Sequence, residues 1–117
     1  MIKVKKITIY EKPTCTTCRN VNKILEGKGI DYNKVNYYIE PFTEQKLKSL
    51  LKKMNMKPSE LLRRREKAAK SIDLKKVSEE KILKLMVSNH DLVERPIIEV
   101  GNKAILARPP EKIHELF

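Results

Sequence analysis

Tyr10-Glu11-Lys12-Pro13-Thr14-Cys15-Thr16-Thr17-Cys18-Arg19-Asn20 lies at the joint between two kinds of pattern. Ahead of it, Val4, Ile7, Ile9 and Tyr10 form an apolar, β-leaning run; behind it, Val21, Ile24 and Leu25 recur at helical spacing. Both cysteines of the chain lie in this joint, with Pro13 just before them. The pattern predicts Cys15 in a loop at, or just before, the first turn of a helix. Unpaired N–H groups and the positive end of the helix dipole favour an anion there. A thiol so placed has a lowered pKa, and its thiolate is the reactive form. The same N–H groups can receive an oxyanion. The stretch therefore suits a nucleophilic sulfur acting on a negatively charged partner.

Working outward, residues 3–10 read as a strand and residues 17–28 as the first helix, with Gly29 as its stop. Residues 31–38 read as a second strand, supported by Tyr32, Val35 and Tyr37. The intervening length allows a right-handed β-α-β crossover. The pattern then turns helical. Thr43 caps a helix with the stripe Leu47, Leu50, Leu51 and Met54, and Pro58 opens a short helix carrying Leu61 and Leu62. After Arg63-Arg64-Arg65 comes a polar connection, and then Ser78 caps a helix with the stripe Ile82, Leu85 and Met86. No Gly/Ser linker bounds this block, so residues 43–89 are read as an insertion within one domain spanning 1–117.

The tail returns to β signals. Strands near 95–100 and 103–107 flank the turn Gly101-Asn102, and Pro109-Pro110 starts a last helix that buries Ile113, Leu116 and Phe117. No internal repeat is evident. The order β-α-β, helical block, β-β-α predicts an α/β chain of the thioredoxin-like fold, with a mixed four-stranded sheet and a helical insertion between its halves. Pro96, just before the third strand, stands where such folds carry a cis proline, and an X-Pro bond adopts cis at modest cost; an ordinary trans proline at a strand start is the alternative.

At 117 residues the chain has the size of one domain, and its 40% hydrophobic content can build one modest core. The start is basic but no long apolar run follows, which speaks against a secretory signal and a membrane span. A soluble, cytoplasmic monomer is expected. There, two cysteines at C-x-x-C spacing suggest redox chemistry more than a structural staple. The charge of +11 comes from 26 Lys and Arg against 15 Asp and Glu. The excess is mostly lysine spread over every segment, with no aromatic residue interleaved, so a solvated surface is favoured over a nucleic-acid face. His90 and His114 are too far apart in sequence to complete a zinc-finger spacing with the cysteines, and no metal is expected.

Four segments resemble the glutaredoxin-coupled arsenate reductases, the ArsC family: Ile9-Tyr10 with Pro13 and Cys15, Leu61-Leu62-Arg63, Glu94-Arg95-Pro96-Ile97-Ile98, and Ala107-Arg108-Pro109-Pro110-Glu111. The resemblance implies that Cys15 attacks arsenate while Arg63, Arg95 and Arg108 hold the oxyanion. Guanidinium groups suit this task, because they match such oxygens bidentately. It further implies that water leaves as a sulfur–arsenic bond forms, that glutathione attacks the adduct, and that glutaredoxin completes reduction to arsenite. No bound cofactor is implied; glutathione is a co-substrate.

Two positions depart from that family. Glu11-Lys12 replaces the His-Asn of enterobacterial-type members; a glutamate there would oppose ionisation of the cysteine, with Lys12 and Arg19 as possible offsets. Cys18 replaces a serine. Cys-Thr-Thr-Cys-Arg is similar to the Spx regulators, which close a C-x-x-C disulfide and bind RNA polymerase. Cys18 is thus open to two readings: it resolves a Cys15 adduct, for recycling by thioredoxin or glutaredoxin, or it is a buried and inert part of the first turn. A redox-sensing partner of RNA polymerase and a general thiol-disulfide oxidoreductase are the competing functional classes.

Overall fold

The computed structural model describes residues 6–116. Val4 of the predicted first strand and Phe117 of the predicted last helix lie outside the described residues. Among the described residues four strands form one sheet: β1 (Ile7–Glu11), β2 (Asn33–Asn36), β3 (Ile97–Val100) and β4 (Lys103–Leu106). Their order is β2-β1-β3-β4. β1 runs parallel to β2 and antiparallel to β3, and β3 is antiparallel to β4, so the sheet is mixed as predicted. The parallel pair is joined through α1 (Thr16–Gly27), which is the crossover helix.

Side-chain alternation decides what this sheet buries. Ile7 and Ile9 of β1 and Ile98 of β3 share one face, where they meet Val21 and Leu25 of α1, Ala107 and Ile113. Ile9 and Ile98 face one another in register and are fully buried. Gly29 ends the helix region at φ +67°, and Gly101 turns the β3–β4 hairpin at φ +58°, values that L side chains rarely adopt.

Two predicted boundaries and one helix type shift. The second strand stops at Asn36, because Asn36 O accepts from the Ile39 and Glu40 N–H groups and Asn36 Oδ1 accepts from Tyr38 N–H. Those bonds turn the chain away from the sheet after Tyr37. The third strand begins at Ile97, after a cis Arg95–Pro96 bond. The last helix, Pro110–Leu116, is 3₁₀ rather than α; it opens on an i→i+3 bond from Lys112 N–H to Pro109 O. The Arg108–Pro109 bond is also cis.

By backbone proximity the chain divides into two compact units. One comprises the segments up to Glu40 and from Arg95 onward; the other is Pro41–Glu94. The second is helical, with α2 (Glu44–Met54), α3 (Pro58–Leu61), α4 (Lys67–Lys70), α5 (Glu79–Ser88) and a 3₁₀ turn at His90–Leu92. Thr43 and Ser78 cap α2 and α5 through their hydroxyls, to Lys46 N–H and Lys81 N–H. Leu47, Leu50 and Leu51 of α2 are buried as the stripe predicts. On α5 the buried set is Ile82, Leu83 and Met86, with Leu85 only half-buried, so that stripe is rotated from the predicted one. The predicted polar connection after Arg65 contains α4, where Ala69 is buried; four residues are too few for a periodic signal. An antiparallel bridge joins Leu62 to Val93 within this unit. Among the described residues no helix is long and apolar enough to cross a membrane.

Candidate active site

Cys15 caps α1. Its N–H donates to Lys12 O at 2.9 Å, closing a turn through Pro13 and Thr14. Its own backbone is extended, at φ −77° and ψ 125°. The sulfur consequently takes the place usually filled by a Ser, Thr, Asp or Asn oxygen, and accepts from Cys18 N–H at 3.4 Å. The Pro13 loop and the first helical turn thus aim Cys15 Sγ at the helix N-terminus.

Electrostatics separates the two cysteines. The Cys15 thiol is lowered to about 4, chiefly because the Cys18 side chain hydrogen-bonds to it. Burial, the next influence in size, works in the opposite direction, and the Cys18 N–H and the Arg95 guanidinium add to the lowering. Cys18, fully buried, is pushed upward because its thiol is held by the Cys15 sulfur, and burial adds to this. The pair is therefore a thiolate at Cys15 beside a protonated thiol at Cys18. Both are free thiols.

Two arginines join them. Arg95, 5% exposed, donates from Nη1 to Tyr38 Oη at 3.1 Å and to Tyr37 Oη at 3.5 Å. Its Nε is buried with no hydrogen-bond partner. Arg108 donates from Nε to Arg95 O at 2.6 Å and from Nη2 to Cys15 Sγ at 3.8 Å. Cys15, Cys18, Arg95 and Arg108 are thus brought together. Arg63 belongs to the helical unit, where its N–H bonds Leu92 O at 2.7 Å and its Nη1 lies 3.5 Å from Glu66 Oε2. Its Nε is also buried without a partner.

Glu11 plays a different part from the one its position suggests. It is 5% exposed and accepts from Asn22 Nδ2 at 3.0 Å; the same amide donates to Cys18 O at 2.9 Å, and Asn22 Oδ1 accepts from Tyr32 at 2.6 Å. Its negative charge bears on Cys18, helping to keep that thiol protonated. Lys12 and Arg19, expected as offsets beside Cys15, are engaged elsewhere: Lys12 Nζ lies 4.7 Å from the Tyr38 ring centroid, and Arg19 Nε donates to Pro13 O. Cys18 and Arg95 do that work instead. Tyr37, Tyr38 and Asn22 escaped the sequence reading, since the two tyrosines look like strand residues and Asn22 like one polar position on a helix. His90 opens a 3₁₀ turn and His114 is exposed. Among the described residues no group of three His, Cys, Asp or Glu could hold a metal ion.

The site thus combines a thiolate with two guanidinium groups and the unpartnered Nε of Arg95. The ArsC family model matches residues 10–116 of this chain. The chain belongs to the ArsC family. The arsenate reductase of Haemophilus influenzae is 30% identical to it over 114 residues, which span 95% of this chain and 98% of that protein. The global transcriptional regulator Spx of Listeria innocua is 30% identical over 94 residues, 79% of this chain and 72% of the regulator. The solved structure of the arsenate reductase from Vibrio cholerae matches at a TM-score of 0.91 and 25% identity, covering 98% of this chain and 100% of that one. This ArsC-family protein therefore has the predicted thioredoxin-like fold, its second half closing on a 3₁₀ rather than an α-helix, in a reductase-like family that also has regulators among its relatives.

Proposed function

We propose that this ArsC protein is a thiol-dependent oxyanion reductase that converts arsenate to arsenite. The observation that carries the reading is the Cys15 sulfur, held as a thiolate at the N-terminus of α1 with Arg108 Nη2 at 3.8 Å. In this reading Cys15 Sγ attacks the arsenic, a sulfur–arsenic bond forms, and one arsenate oxygen departs as water after protonation. Arg95 and Arg108 neutralise the remaining oxygens, and the family resemblance assigns Arg63 to the same task. A second thiol then attacks Cys15 Sγ. The sulfur–arsenic pair passes to arsenic, which leaves as arsenite in the +3 state, and a disulfide remains.

Glutathione, followed by glutaredoxin, is one source of that thiol; Cys18 is the other, with thioredoxin or glutaredoxin to reopen the internal disulfide. The resolving role for Cys18 has physical support. Its proton is retained mainly through the bond to the Cys15 sulfur, and that acceptor is altered once Cys15 is bonded to arsenic. The reaction fits a monomer in a glutathione-rich cytoplasm. Coupled arsenate turnover with glutathione and glutaredoxin, or with thioredoxin, tests the reading. We expect turnover that Cys15→Ser abolishes; absence of turnover with every donor would refute it.

The Spx relative supports a second reading, a redox-sensing partner of RNA polymerase, for which the adjacent cysteines would serve as a switch. Tight polymerase binding that changes with Cys15–Cys18 oxidation, without turnover, would favour it. A general disulfide oxidoreductase would instead tolerate Arg63→Ala, Arg95→Ala and Arg108→Ala, and reduction of a disulfide substrate by these variants separates that class.

A further inference from the structure

Arg95 is almost wholly buried, yet no carboxylate pairs with it among the described residues. A buried guanidinium needs acceptors, and a carboxylate partner would also cancel its charge. Here two phenol oxygens supply them, Tyr38 Oη at 3.1 Å and Tyr37 Oη at 3.5 Å. Arg95 Cζ lies 5.9 Å from the Tyr38 ring centroid, and Lys12 Nζ lies 4.7 Å from the same centroid. The Tyr37 and Tyr38 rings touch, with centroids 5.1 Å apart.

The backbone fixes both tyrosines. Tyr37 N–H bonds Glu11 O at 3.3 Å, and Tyr38 N–H bonds Asn36 Oδ1 at 3.0 Å. Position then passes along the chain of contacts. Arg95 O receives Arg108 Nε at 2.6 Å, and Arg108 Nη2 reaches Cys15 Sγ at 3.8 Å. What holds Arg95 therefore also places the second cation beside the sulfur.

We propose that Tyr38, supported by Tyr37, is a positioning residue of this site: the phenol oxygens hold the Arg95 guanidinium beside Cys15 without neutralising it. The charge and the free Nε are left for an oxyanion, a clause that rests on the reductase reading. The positioning of the thiolate does not rest on it. The titratable and charged groups bearing on Cys15 include Cys18, Arg95 and Arg108; those facing Arg95 include Cys15, Tyr37, Tyr38 and Arg108, with Lys12 over the Tyr38 ring.

The test is the pH profile of Cys15 alkylation by iodoacetamide in the full chain, for wild type, Tyr38→Phe, Arg95→Ala and the double variant, with sulfate protection measured alongside. Tyr38→Phe should move the profile upward by about half a unit, roughly threefold in the acid constant, and should weaken sulfate protection. In the Arg95→Ala background the same substitution should have no further effect on the profile. An unchanged profile in folded Tyr38→Phe, or an equal shift with and without Arg95, overturns the proposal. Should Tyr38→Phe fail to fold, Tyr37→Phe replaces it in the same cycle, with the same deciding outcomes. Alkylation needs no turnover, so a shifted profile in a protein that reduces nothing removes the reductase reading and keeps this one.

Discussion

At Cys15 the sulfur receives the Cys18 side chain, the Cys18 N–H and the Arg95 guanidinium, and together these keep its proton off down to about 4. Its alkylation rate should therefore be nearly flat between about pH 5 and pH 8 and fall only as pH approaches about 4. By linkage, a depressed pKa adds stability that is complete above the ordinary thiol value and is lost as pH falls towards about 4. Denaturation of wild type and Cys15→Ser should accordingly show a wider gap at about pH 8 than at about pH 4. Cys18 can be separated by chemistry: serine keeps an O–H donor towards Cys15, and alanine does not. Cys18→Ala should raise the Cys15 profile more than Cys18→Ser, whereas both should lose the internal disulfide. Equal profiles would mean that the Cys18 side chain does not hold the thiolate. Single turnover on arsenate, with mass spectrometry of the trapped adduct, should find it on Cys15 in Cys18→Ser.

Between elements, Asn22 fastens α1 to the end of β1. Its amide serves both the buried Glu11 carboxylate and Cys18 O, while Tyr32 holds its oxygen. Asn22→Leu would remove a donor from a buried carboxylate, a loss of about 1.5–3 kcal/mol. Urea denaturation reads that loss, and a change under about 0.5 kcal/mol would show that Glu11 is satisfied in another way. Capping supplies a smaller contribution of the same kind. Thr43→Ala should weaken α2 by about 1 kcal/mol, since Lys46 N–H then loses the Thr43 hydroxyl.

For the molecule as a whole, the sheet unit has its core where β1 and β3 face α1. Ile98 pairs with Ile9 on one side and Ile105 on the other, and it is fully buried. Ile98→Ala should cost about 2–5 kcal/mol, read by chemical denaturation. Hydrogen exchange should be slowest in β1 and β3, which are paired on both sides, and faster in β2 and β4 at the two ends of the sheet. Exchange at Ile9 and Ile98 as fast as at Lys34 and Ile105 would contradict that hierarchy.

Local chemistry was legible in the sequence because it is carried by short spacings. The Cys15 cap, the Thr43 and Ser78 caps, the Gly29 stop and the Gly101 turn each depend on a few consecutive residues, and the alternation in Ile7 to Tyr10 and the β-branched residues of Ile97 to Val100 beside the Gly101-Asn102 turn announced the central strands. The element order, and with it the fold, followed from those signals taken together. What lay beyond them involves partners far apart in the chain. Arg95 meets Tyr37 and Tyr38 across 58 and 57 positions, and Arg108 meets Cys15 across 93. No periodicity encodes such pairs; they exist because the parallel β1–β2 pairing and the β1–β3 register bring their segments together. The same holds for Glu11, whose charge opposes a neighbouring thiolate on sequence grounds alone. Tertiary structure directs that charge to Cys18 through the packing of α1 on the sheet, and leaves the Cys15 sulfur to Cys18 and the arginines.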